Sequence, residues 1–62
     1  MAITMEYRFA SVHELRRWLN RQKDKCSTPD EFYEWIERLF DKGDTIVVLG
    51  EDYDYFSILE LI

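Results

Sequence analysis

The sequence predicts a small two-layer α+β domain in the order β-α-α-β-β. A three-stranded, mostly antiparallel sheet is covered on one face by two antiparallel helices. Three observations carry that reading: strict alternation over residues 3–9, two helix-start signatures at Ser11 and Thr28, and a β-branched apolar run over residues 45–49.

In the first segment Ile3, Met5, Tyr7 and Phe9 fall on one face and Thr4, Glu6 and Arg8 on the other. That period of two is the mark of a half-buried strand. Ser11-Val12-His13-Glu14 then matches a capping box, in which Ser satisfies a free backbone N–H and Glu returns the bond. Val12, Leu15, Leu19, Gln22 and Cys26 recur at helical spacing, with Trp18 beside them. The opposite face carries Arg17, Arg21 and Lys25, and Arg16 and Lys23 border the apolar stripe.

Thr28-Pro29-Asp30-Glu31 opens a second helix, with Thr28 as cap and Pro29 at the first helical position. Phe32, Trp35, Ile36, Leu39 and Phe40 form its apolar face, while Asp30, Glu34, Glu37 and Asp41 form an acidic ridge. Gly43 suits the left-handed residue that ends a helix. Residues 45–49 read as a central strand, residues 50–54 as a turn, and residues 55–62 as a last strand completing a hairpin. Both faces of that last strand are largely apolar. The uncovered face of the sheet is therefore expected to expose an apolar patch, and such a patch favours a homodimer.

Sixty-two residues make one domain, 1–62, with a core that supplies little net stability. Cys26 is the single cysteine, so no disulfide forms within the chain. One Cys and one His13 do not make a structural zinc site, and no cofactor motif is present. The free thiol and the absence of a signal-peptide pattern point to the cytoplasm. No apolar run approaches the roughly 20 residues that cross a bilayer.

Charge is polarised along the chain. Residues 1–25 hold six cations and three carboxylates, a net of +3; residues 26–62 hold two cations and ten carboxylates, a net of −8. Catalysis is not expected. Ser11, Ser27, Ser57, Cys26 and His13 show no spacing that selects a nucleophile and its base. The expected function is non-enzymatic binding of a partner protein with a basic surface, as a small acidic regulator or inhibitor. In size and charge the chain is similar to small acidic phage and mobile-element proteins that occupy a basic surface of a host protein. Partial mimicry of a nucleic acid is one form of that role.

The candidate contact residues are Glu34, Glu37 and Asp41 on the second helix, with Glu51, Asp52, Tyr53, Asp54 and Tyr55 on the following turn. Carboxylates supply charge-assisted bonds to Arg or Lys, and Tyr supplies rigid contact area. An alternative is nucleic-acid binding by the first helix through Arg17, Arg21, Lys25 and Trp18. Against it stands the reading of a solvated helix face partly paired with the acidic ridge of the second helix; a helix-turn-helix reader is discounted separately, because phosphate repels that acidic second helix. A third reading is a homodimeric structural subunit.

Overall fold

A computed structural model describes residues 3–62 of the chain. In chain order they form β1 (Glu6–Phe9), α1 (Val12–Lys25), α2 (Pro29–Asp41), β2 (Thr45–Val48), β3 (Glu51–Tyr53) and α3 (Tyr55–Leu61). The fold is α+β, with the expected β-α-α-β-β order followed by a third helix.

Both capping boxes form. Ser11 accepts from the Glu14 N–H at 3.2 Å, and Glu14 accepts from the N–H of Ala10 at 3.1 Å. Thr28 accepts from the Glu31 N–H at 3.3 Å, and Glu31 accepts from the N–H of Ser27 at 2.9 Å. In each case the glutamate reaches the residue before the cap, so one donor that the helix leaves open and one just outside it are satisfied. At the far end of α2, the Gly43 N–H donates to the Phe40 carbonyl and the Asp44 N–H to the Leu39 carbonyl, both at 3.1 Å. That pair of bonds is the Schellman closure, and it requires the left-handed φ of 96° at Gly43.

The sheet order is β1-β2-β3, with β1 parallel to β2 and β2 antiparallel to β3. Parallel neighbours need a crossover, and α1 with α2 supplies it. Register places Tyr7 beside Ile46, Phe9 beside Val48 and Ile46 beside Tyr53. These residues share the covered face. Leu15 and Leu19 of α1, Phe32, Ile36 and Leu39 of α2, Ile46 and Val48 of β2, and Ile58 of α3 are buried in one cluster. Trp18 joins the layers, its ring centroid 4.9 Å from Tyr7, 5.3 Å from Phe9 and 5.2 Å from Trp35.

Four expectations are corrected. Residues 55–62 are not a strand. Asp54 caps a helix instead, its carboxylate accepting from the Ser57 N–H at 2.8 Å. Helical spacing lets Tyr55, Ile58 and Leu61 face the core, whereas period two leaves apolar groups on both sides. The third strand therefore lies earlier, at Glu51–Tyr53, where a turn was expected. Finally, the open face of the sheet carries Glu6, Arg8, Thr45, Val47 and Asp52, so it is mainly polar rather than apolar. Ile3 and Met5, placed by alternation on the core side, lie before β1 and are exposed.

The hairpin closes through Leu49 and Gly50, at φ 53° and 81°. Positive φ at both central residues is the type I′ pattern, which matches the twist of the strands. Leu49 is the one non-glycine residue with positive φ among the described residues, and its side chain is 76% exposed. Left-handed backbone costs an ordinary L-residue roughly 1–2 kcal/mol, and no burial of Leu49 offsets that. Leu49→Asn should therefore stabilise the domain by about 1 kcal/mol and raise its Tm by several degrees. An unchanged or lower melting temperature would show that the leucine side chain packs in the folded state.

Ile36 is 1% exposed at the centre of the cluster. Ile36→Ala should cost roughly 2–5 kcal/mol, comparable to the whole net stability of so small a domain. Circular dichroism at 37 °C should show a largely unfolded chain. A cooperative melt with an unchanged midpoint would mean that Ile36 is not a core residue.

Candidate protein-binding surface

The acidic ridge of α2 does not stand alone. The hydroxyl of Tyr55, at the start of α3, donates to Oε1 of Glu37 at 3.2 Å, across eighteen residues of chain. Around that bond Glu37, Phe40, Asp41 and Tyr55 line an open cavity of about 350 Å³. The rings of Phe40 and Tyr55 lie 6.2 Å apart, and Phe56 lies 5.8 Å from Tyr55. Phe56 is 72% exposed and Tyr33, on α2, is 43% exposed. The outcome is a surface of carboxylates interleaved with aromatic rings.

Several expected contact residues meet here and others do not. Glu37, Asp41 and Tyr55 come together. Glu34 is exposed one turn earlier on α2 and pairs with Arg38 at 3.7 Å. Asp54 is committed to capping α3. Glu51 lies exposed at the start of β3, and Asp52 lies on the open sheet face in register with Val47. Tyr53 points the other way and packs, half-buried, against the core. The stretch read as one acidic-aromatic turn is thus divided among a strand, a cap and a helix.

A strand at 55–62 groups Phe56 with Ile58 on one of two largely apolar faces and does not single it out as exposed beside Tyr55. The pattern Asp54-x-x-Ser57 was the available signal, since a cap at Asp54 turns Phe56 outward.

The local fields are consistent with this geometry. The Asp54 carboxyl is held below its usual value, first by the backbone N–H of Ser57 and then by the Ser57 side chain. The Tyr55 hydroxyl is pushed above its usual value. Partial desolvation of the ring is the main cause, followed by the bond to Glu37 and the negative charge of that carboxylate. The hydroxyl itself sits at the surface, where it meets Glu37.

The basic residues of α1 lie elsewhere. Arg17, Arg21 and Lys25 are exposed, and Arg17 and Arg21 border a shallow depression with Phe9 and Glu14. Among the described residues, no ion pair joins α1 to the acidic ridge of α2. Trp18 is half-buried in contact with three other rings. Cys26 donates its thiol to the Gln22 carbonyl at 3.3 Å. Among the described residues, no group of three or more His, Cys, Asp or Glu is placed to hold a metal ion. Among the described residues, no helix is long and apolar enough to cross a membrane.

The Tyr55–Glu37 bond gives a direct test of this surface. Glu37→Gln keeps the shape but removes the charge that opposes loss of the phenolic proton. The Tyr55 hydroxyl should then titrate at lower pH than in the parent, followed by tyrosinate absorbance against a Tyr55→Phe reference. The sign follows from the raised value: this contact supports the fold below the ordinary tyrosine range near 10.0 and fades as pH rises through the folded value. Identical titration curves for parent and Glu37→Gln would place the two side chains apart in solution.

No family model matches this chain, and neither a curated protein nor a solved structure is significantly similar to it.

Proposed function

We propose that the protein is a non-enzymatic binding module, a small acidic regulator or inhibitor that docks on a basic surface of a partner protein in the cytoplasm. The observation that carries this reading is the joining of the α2 ridge to α3 by the Tyr55–Glu37 bond. It sets Glu37 and Asp41 beside Phe40 and Tyr55, and the exposed ring of Phe56 adjoins Tyr55. Such a face combines the two ingredients of a strong contact. Exposed aromatic rings bury large area at low entropic cost, and neighbouring carboxylates pair with Arg or Lys. Arginine can also stack on the rings.

That the protein is not an enzyme belongs to the same proposal. Ser11 is engaged as a helix cap, and the Cys26 thiol is bonded to the turn before it. A net charge of −5 favours a basic partner and opposes polyanions.

The test compares two sets of charge reversals against the partner captured from native lysate. Glu34→Lys, Glu37→Lys and Asp41→Lys together should slow association by about tenfold or more at low salt. That loss should shrink as ionic strength rises, because steering is screened within about 8–10 Å. Arg17→Glu, Arg21→Glu and Lys25→Glu should have the smaller effect. The opposite ranking, with binding to oligonucleotide lost on removing the α1 cations, would replace this function with nucleic-acid binding.

A further inference from the structure

A second surface carries the opposite charge. Between α1 and the end of α3 lies a groove of about 350 Å³. Leu19 and Phe32, both nearly fully buried, close its floor, and Leu61 with Ile62 forms an apolar wall. Arg16, Asn20 and Lys23 form its rim on α1. No Asp or Glu side chain lines it, although the chain holds thirteen of them. Arg16 and Lys23 are exposed and have no ion-pair partner among the described residues.

We propose that this groove binds an acidic peptide segment of a partner protein, with an apolar side chain between two carboxylates. The spacing of the cations selects that occupant. Arg16 and Lys23 stand seven residues apart on one helix, which at about 1.5 Å per residue separates them by about 10 Å. A lone anionic headgroup sits beside one of them. An extended segment of the form acid-x-apolar-x-acid puts all three named side chains on one face, with its acids about 13 Å apart. The long side chains of Arg and Lys cover the difference. Between them the apolar residue meets Leu61 and Ile62. Asn20, midway along the rim, offers both a donor and an acceptor to the peptide backbone.

Nucleic acid fits the same groove poorly. Its walls are aliphatic, Phe32 is 2% exposed, and the rings around Trp18 are packed on one another, so no base finds a stacking partner. This assignment is independent of the acidic α2–α3 surface and stands or falls without it.

The test is a titration of the isotope-labelled protein followed by amide resonances. The probe is the peptide acetyl-Asp-Ser-Leu-Ser-Glu-amide. Shifts should concentrate at Arg16, Asn20, Lys23 and Leu61 and weaken as salt rises. Arg16→Glu with Lys23→Glu should lower affinity by about tenfold or more, as should replacing both probe acids by Asn and Gln. Arg17→Glu with Arg21→Glu makes the same change in net charge away from the groove and should leave affinity within about twofold. Circular dichroism checks that each variant is folded. Three results would each overturn the assignment: shifts that map elsewhere or do not occur, equal losses from the two pairs of reversals, or tighter binding of oligothymidylate than of the peptide.

Discussion

The register of this sheet depends on one buried carboxylate. Asp44 is 2% exposed, and its side chain is wholly enclosed. Its Oδ1 accepts from the Met5 N–H at 2.9 Å, thirty-nine residues away in the chain. The Thr45 N–H then donates to the Met5 carbonyl at 3.0 Å, and the ladder that follows aligns Glu6 with Thr45 and Phe9 with Val48. Its other oxygen has no hydrogen bond among the described residues, but the Lys42 ammonium lies 3.3 Å away and supplies the countercharge. A slip of one residue would turn Tyr7 and Phe9 to solvent and Arg8 into the core. Asp44 therefore links the end of α2 to the start of both parallel strands. Gly43, just before it, leaves the room this requires: a Cβ there would meet the Thr4 methyl at 3.0 Å.

From that junction the rest of the packing is constrained. β2 lies between its two neighbours, and its buried side chains Ile46 and Val48 meet residues from all three helices in one cluster. The covered face is completed by Tyr7 and Phe9 from β1 and Tyr53 from β3, half-buried against the same cluster. A three-stranded sheet with strands of three or four residues gives little apolar area. The third helix adds Ile58 to that core and Tyr55 and Leu61 to its edge. It also carries Tyr55, which meets the acidic ridge at Glu37. The same short segment thus stabilises the domain and builds its most distinctive surface.

How much was legible in the sequence follows from the range of each interaction. The two capping boxes and Gly43 are signals within four residues, and both long helices are found where those signals place them. The central strand is likewise found at its β-branched run. The last eight residues defeat a reading by period, because a short run rich in apolar groups fits both 2 and 3.6. The cap at Asp54 was the deciding signal, and it sat inside what looked like an acidic turn. Asp44 was illegible for a different reason. Its partner Met5 is distant in sequence, so nothing local distinguishes it from the other carboxylates. The candidate site was legible in part: the ridge of Glu34, Glu37 and Asp41 is set by helical spacing alone, whereas its meeting with Tyr55 is a tertiary event.

The polarised charge of the chain has a physical consequence. A domain of this size could neutralise itself by pairing the cations of α1 with the carboxylates of α2. The described ion pairs are local instead: Arg8 with Glu6, Arg38 with Glu34 and Lys42 with Asp44. Exposed pairs contribute little to stability, so folding gains little by bringing the two sets together. Each set keeps its field, and each is combined with apolar area: aromatic rings beside Glu37 and Asp41, and aliphatic walls beside Arg16 and Lys23. Charge alone gives long-range steering that salt removes, while apolar area alone gives contact without selectivity. The two combinations lie at separate places, so under the two proposed contacts removing either charge set should weaken one and leave the other intact.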